Sequence, residues 1–285
     1  MNPATPTRSP RAMVMLMTCV AMVAFAANSL LTRAAFQTTT IDAASFTAIR
    51  MASGALVLAW ILRQQGGQMV GHRSSWMSAA LLFGYAAAFS MAYRDISTGA
   101  GALVLFATAQ LTMITYGLYQ GERASVWGVL LALGGLAAFL APSASAPPMG
   151  AAAWMVLAGL AWGGFSLMGR SGGTPVAHTA SSFVYAVPMA AVLLLIQAPR
   201  LELDPPGVVY ALLSGSVASG LGYVVWYWVR VRLTAISAGA VQLSVPVITA
   251  ALGVVLLGET VSLQAAACAL VTLGGIAWVT LTARR

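Results

Sequence analysis

The chain has 285 residues, of which 60% are hydrophobic and only 7% charged. Soluble domains carry about 25% charged residues, so this composition excludes an ordinary water-soluble fold and makes lipid the solvent. The net charge of +8 comes from fourteen arginines without a lysine. They stand singly between apolar stretches, which excludes a nucleic-acid footprint and reads instead as a set of topology signals.

Residues 1–11, M-N-P-A-T-P-T-R-S-P-R, read as a polar cytoplasmic tail. The apolar run behind it is long enough to span and shows no clear cleavage site, so it reads as a retained helix. A spanning helix needs about 20 apolar residues. Ten runs answer to this: 12–35, 41–63, 75–94, 98–120, 124–141, 149–170, 177–198, 206–230, 236–257 and 261–282. Turn chemistry separates them at Gln37-Thr38-Thr39-Thr40, at the glycine-bearing stretch 64–73, at Gly121-Glu122-Arg123, at 170–175 and from Pro199 to Pro206. The stretch 142–148, rich in proline, serine and alanine, reads as a linker between a first unit, 12–141, and a second, 149–282. Cys19 and Cys268 lie inside apolar runs and behave as small hydrophobes rather than as a disulfide.

The arginines set direction. With the N-terminus inside, Arg8, Arg11, Arg63, Arg73, Arg123, Arg170, Arg230, Arg232, Arg284 and Arg285 fall on the cytoplasmic side. The acids Asp42, Asp95, Glu202, Asp204 and Glu259 fall outside. Arginine near helix ends decides orientation, so both termini are expected inside.

The two units repeat. Residues 24–33, A-F-A-A-N-S-L-L-T-R, align with 161–170, A-W-G-G-F-S-L-M-G-R. Ala24, Phe25, Ser29, Leu30 and Arg33 meet Ala161, Trp162, Ser166, Leu167 and Arg170 at one shift of 137 residues. Gly101-Ala102 opens a run that ends at Gly121-Glu122-Arg123, and Gly239-Ala240 opens one that ends at Gly258-Glu259-Thr260. A double glycine follows each, Gly134-Gly135 and Gly274-Gly275. Five runs per unit is an odd number, so the second unit enters the membrane from the opposite side. Duplication with inversion is the architecture of many transporters.

These motifs carry a resemblance. Trp162-Gly163, Ser237-Ala238-Gly239-Ala240, Leu257-Gly258-Glu259, Gly274-Gly275 and Arg50 in the second run resemble the drug/metabolite transporter superfamily, EamA type. Over nearly the whole chain the sequence is most similar to the aromatic amino-acid exporters called YddG. The resemblance implies an all-α bundle of ten transmembrane helices in two inverted repeats. It also implies an inner-membrane location and export of amino acids or related metabolites. The first unit departs from the pattern: Phe25-Ala26 replaces tryptophan-glycine, and Pro188 stands where Arg50 would repeat.

Polar and aromatic residues stranded in apolar runs are the candidates for a transport site, because burying them unsatisfied is costly. Asn28, Gln110, Gln242 and Ser244 are the polar ones. Gln110 and Gln242 lie in runs that correspond in the two units, so they are expected to face one cavity. Asn28 has two readings, a substrate contact or an interhelical hydrogen bond. Tyr85, Trp162 and Tyr223 lie deep and would line a pathway suited to apolar or aromatic side chains, or else pack the core. Trp76, Trp154, Trp226, Trp228 and Trp278 lie near run ends and are expected in the interfacial belt. Pro188 and Pro246 lie within runs, where each marks either a hinge or a static kink. Arg50 reads as the one arginine well inside a run. It either pairs with a substrate carboxylate or bonds helix-end carbonyls near the outer side.

Acids sit at run ends, and His178 lies at the inner start of the seventh run. Without a titratable group deep in the membrane, transport is expected to be facilitative rather than proton-coupled. The sequence carries no phosphate loop, H-E-x-x-H, G-x-S-x-G or Cys/His ligand cluster. No enzyme activity, cofactor, metal or ATPase subunit is expected. Gly159-x-x-x-Gly163 reads as close helix packing. The expectation is a monomeric exporter of neutral, including aromatic, amino acids. The alternatives are a proton antiporter of another small metabolite or drug, a lipid scramblase and a membrane enzyme.

Overall fold

The computed structural model describes residues 11–71, 73–93, 95–96, 98–141, 148–168, 174–257 and 262–284. The helices are α1 (Arg11–Thr38), α2 (Ala43–Gln64), α3 (Arg73–Ala92), α4 (Thr98–Tyr119), α5 (Val126–Leu140), α6 (Met149–Met168), α7 (Pro175–Gln197), α8 (Pro205–Leu213), α9 (Gly222–Arg230), α10 (Ala235–Gln242), α11 (Ser244–Leu257) and α12 (Leu263–Thr282). Six stretches are long and apolar enough to cross a bilayer: α1, α2, α3, α6, α7 and the continuous segment Pro205–Arg230. Among the described residues four shorter apolar stretches complete the set: Val104–Tyr119, Val126–Phe139, Ala235–Thr249 and Ala266–Thr282. The described residues contain no strand; a lone antiparallel bridge, Arg123 to Arg284, ties the entry of α5 to the exit of α12. Large apolar side chains such as Leu56, Trp60, Leu118, Leu195 and Leu281 stand exposed around the bundle, as a lipid-facing surface requires. The chain is a multi-pass membrane protein.

Helix starts are set by capping chemistry. Asp42 Oδ1 accepts from Ala44 N at 2.8 Å and Ser45 N at 2.9 Å, opening α2. Thr174 caps α7, with Pro175 in its first turn where a missing N–H costs nothing. Thr234 Oγ1 caps α10 by accepting from Ser237 N at 3.0 Å. Gly121 turns the chain between α4 and α5 at φ +77°, a backbone state that glycine adopts without strain.

Two runs depart from a plain α-helix. The eighth changes winding: Ser214–Leu221 is a π-helix between α8 and α9. The ninth breaks at Leu243, between α10 and α11. Pro246 therefore corrects the expectation of a mid-helix proline. It sits in the first turn of α11, where no i−4 bond is broken. Ser244 restarts the helix, its hydroxyl donating to Val241 O at 2.6 Å. Pro188 does lie inside α7, on its exposed face, and the helix runs through it to Gln197. Arg8, Arg170, Glu259 and most of the expected linker fall outside the described residues.

Packing pairs helices that lie far apart in the sequence. α5 packs on α12, α2 on α7 and α4 on α10. α6 packs on α3 and α4, while α1 packs on α9, the π segment and α11. α6 approaches α4 through Gly159 and Gly163. A Cβ on Gly159 would lie 2.7 Å from Thr108 Cβ, and one on Gly163 2.8 Å from Thr112 Cβ. The two glycines form a groove one turn apart that seats two threonines one turn apart.

Burial overturns one reading. Trp226 is not a belt residue. It is fully buried, its Nε1 donating to Ser166 Oγ at 3.3 Å and its ring edge-on to Phe25 at 5.6 Å. Tyr223, Trp226, Tyr227 and Arg230 recur at helical spacing, so α9 turns one aromatic face inward. Trp76, Trp154 and Trp278 are exposed, as belt residues are. Arg50 lies well inside its helix, and a second arginine, at a helix end, is buried as well. Arg230 is equally buried, because the chain after α9 folds back over it and Leu233 O accepts from its Nη1 at 3.2 Å.

Candidate functional site

Five helices bring their aromatic side chains to one point. Phe25 of α1, Tyr85 and Phe89 of α3, Phe106 of α4, Trp162 of α6 and Tyr223 of α9 line a narrow cavity of about 20 Å³, together with Asn28. This is room for about one water molecule. Trp162 is the hub of the wall. Its ring centroid lies 5.2 Å from Phe25, 4.9 Å from Tyr85 and 5.0 Å from Tyr223. Phe25 meets Trp162 and Tyr223 edge-on, the geometry that ring quadrupoles favour.

The polar part of the site grows out of the π segment. Wider winding places Ser214 and Ser219 on the same partner: both hydroxyls donate to Asn28 Oδ1, at 2.7 and 3.3 Å. Asn28 thus keeps both of its readings. Its carbonyl joins α1 to the π segment, and its amide nitrogen remains for the cavity that it lines. π-Helical turns recur at functional sites because they break the regular ladder there.

Arg50 stands behind this wall. Its Nε donates to Ser219 Oγ at 3.1 Å and its Nη2 to Tyr223 Oη at 2.9 Å. The guanidinium carbon lies 5.4 Å from the centre of the Tyr85 ring, a cation–π distance. The side chain is fully buried, and Nη1 has no partner among the described residues. The helix-end carbonyls expected around Arg50 are replaced by two hydroxyls, because π winding brings Ser219 and Tyr223 to face α2.

Gln110, Gln242 and Ser244 do not join the cavity wall. Gln242 Oε1 accepts from Trp162 Nε1, and Gln242 Nε2 lies 3.1 Å from Ala238 O. Gln242 therefore fixes the hub tryptophan from behind. Gln110 is buried with neither amide atom partnered among the described residues. Ser244 spends its hydroxyl on the α10–α11 break. His178 packs against Tyr227, ring centroids 4.9 Å apart.

A second cavity of about 610 Å³ opens at the end of the bundle where α1 meets α2 and α7 meets α8. Thr40, Asp42, Tyr93, Arg200 and Glu202 line it. Asp42 laces the two connections together, its Oδ2 accepting from Glu202 N at 2.9 Å. Phe89 of the small cavity and Tyr93 of the large one are in edge-on contact at 4.6 Å, so this ring pair lies between the two spaces. At the opposite end, buried Glu122 accepts from Ala235 N at 2.9 Å and Ile236 N at 3.0 Å, so the α4–α5 connection caps α10. Sequence reasoning placed Glu122 at a helix end but missed this role. It also missed Ser214 and Ser219, although the small-residue cluster S-G-S-V-A-S-G was visible.

Comparison with known proteins fits this geometry. Residues 149–281 match the EamA-like transporter family, so the chain carries an EamA-like transporter domain, which points to movement of small solutes across a membrane. It is 51% identical over 273 residues to uncharacterized protein PA1977 of Pseudomonas aeruginosa, which spans 95% of both chains. A solved structure, described as a crystal structure of protein, superposes with a TM-score of 0.78. That likeness covers 97% of this chain and 100% of the other at 21% identity, and it is one of fold.

Proposed function

We propose that this protein is a monomeric exporter of neutral amino acids, aromatic ones included. In this reading ten transmembrane helices form two inverted five-helix repeats in the bacterial inner membrane, with both termini in the cytoplasm. The observation that carries the substrate class is the aromatic wall around Asn28. Phe25, Tyr85, Trp162 and Tyr223 suit an apolar or aromatic side chain, and an amide suits a polar backbone.

The packing supports inversion. If α1, α2, α3, α4 and α5 correspond to α6, α7, α8–α9, α10–α11 and α12, then each contact of one unit has its counterpart. α3 on α6 answers α9 on α1, and α4 on α6 answers α11 on α1. α2–α7, α5–α12 and α4–α10 are self-paired, as two-fold contacts are. Such units can exchange conformations, which opens the central site to one side and then the other.

Transport is read as facilitative. Glu122, the one acid buried among the described residues, already accepts two backbone N–H bonds. The test is uptake of radiolabelled phenylalanine, leucine and alanine into vesicles holding only this protein, with a panel of unlabelled competitors. Amino acids should move and compete, and an imposed pH gradient should not drive accumulation. Failure of every amino acid would reject the substrate class. Uphill accumulation driven by the gradient would reject the facilitative mechanism.

A further inference from the structure

The guanidinium of Arg50 is enclosed and incompletely bonded, and that imbalance points outward to the cavity. An arginine brings five N–H donors and no acceptor. Here Nε and Nη2 are placed on hydroxyls while Nη1 has no partner among the described residues. A buried charge without a counter-charge is costly, and the hydroxyls that meet Arg50 supply none.

Its neighbours show where the missing anion would come from. Tyr223 accepts from Nη2 and also lines the cavity. Tyr85 presents its ring to the guanidinium and also lines the cavity. Ser219 joins Nε to Asn28, the polar group of the same wall. The cation therefore stands one side chain behind the cavity. At about 20 Å³ that cavity is contracted and holds no amino acid.

We propose that Arg50 is the specificity-determining anchor for a substrate carboxylate. This rests on the reading of the aromatic cavity as the substrate site. When Tyr85 and Tyr223 give way and the cavity widens, the carboxylate takes the place of the Tyr223 hydroxyl on Nη2. It also fills the open donor on Nη1, so the two N–H groups hold both carboxylate oxygens as a fork. Asn28 offers a further donor, and the rings receive the side chain. The class that fits is a small carboxylate with an apolar or aromatic side chain.

The test uses the full-length protein in vesicles, with L-phenylalanine, L-phenylalaninamide, phenethylamine and 3-phenylpropionate as competitors of labelled phenylalanine exchange. The wild type should prefer the two free acids over the amide and the amine by about tenfold or more, as expected for a charge-assisted hydrogen bond. Arg50→Gln should bring that ratio close to one, and Arg50→Lys should keep part of it. A purely structural arginine would lower the amount of active protein without moving the ratio. If Arg50→Gln does not fold, Arg50→Lys and the wild-type competitor series still decide. If phenylalanine moves but its amide competes equally with wild-type protein, the anchor is rejected and the exporter reading stands. If no amino acid moves but 3-phenylpropionate raises the melting temperature of the wild type and not of Arg50→Gln, the anchor stands and the amino-acid reading falls. If 3-phenylpropionate leaves the wild type unchanged as well, both fall.

Discussion

Asn28 and Glu122 show how a single polar side chain is used twice in a medium that offers no water. Asn28 Oδ1 takes two serine hydroxyls, so its removal orphans both. Asn28→Ala should lower the melting temperature in detergent, with a loss of about 1–3 kcal/mol, and should also slow amino-acid exchange. Asn28→Asp should restore the acceptor and the stability but not the exchange, because the donor toward the cavity is gone. Glu122 holds the first N–H groups of α10. Glu122→Ala should cost about 1–3 kcal/mol, read as an earlier thermal transition, and Glu122→Gln should cost less because one acceptor survives. Part of the cavity wall was legible in the sequence: Asn28, Tyr85, Trp162 and Tyr223 are conspicuous within apolar runs, whereas Phe25, Phe89 and Phe106 are not. Trp226 was not, because nearness to a run end is shared by belt and core tryptophans alike. Its spacing of three from Tyr223 and four from Arg230 was the signal that distinguishes them.

Among the elements, α5 and α12 give the cleanest separation of close approach from mere composition. Each carries a double glycine. Gly134 and Gly274 face open space, whereas a Cβ on Gly135 would lie 2.8 Å from Thr272 N and one on Gly275 2.4 Å from Ala132 N. Gly134→Ala and Gly274→Ala should be neutral or gain a few tenths of a kcal/mol from helix propensity. Gly135→Ala and Gly275→Ala should cost about 1–3 kcal/mol by forcing the helices apart. Thermal unfolding of the four variants checks the pattern, and equal losses at all four positions would contradict it. The sequence showed the pairs but not which member faces a neighbour. The π segment and the break at Leu243 were hidden for a related reason. Lipid-facing runs are apolar on every side, so hydrophobic periodicity has little to report about winding. Only Pro246 marked the ninth run, and it marks a helix start as readily as a kink.

For the molecule as a whole, composition and the length of the apolar runs carried the all-helical, multi-pass fold in the sequence, while the polar network behind the cavity needed three dimensions. Asn28, Ser219, Arg50 and Tyr223 come from three stretches of chain up to 195 residues apart, and no local pattern joins them. The narrowness of the central cavity has an energetic meaning for the cell. A space of about 20 Å³ holds about one water, and a single water is no proton wire across a hydrocarbon core of about 30 Å. On this geometry the resting protein is expected to conduct no protons. Vesicles carrying it should hold an imposed proton gradient as long as protein-free vesicles do, measured by the decay of a pH-sensitive dye. In the location proposed above, many copies can then share a membrane with a stored proton gradient without draining it.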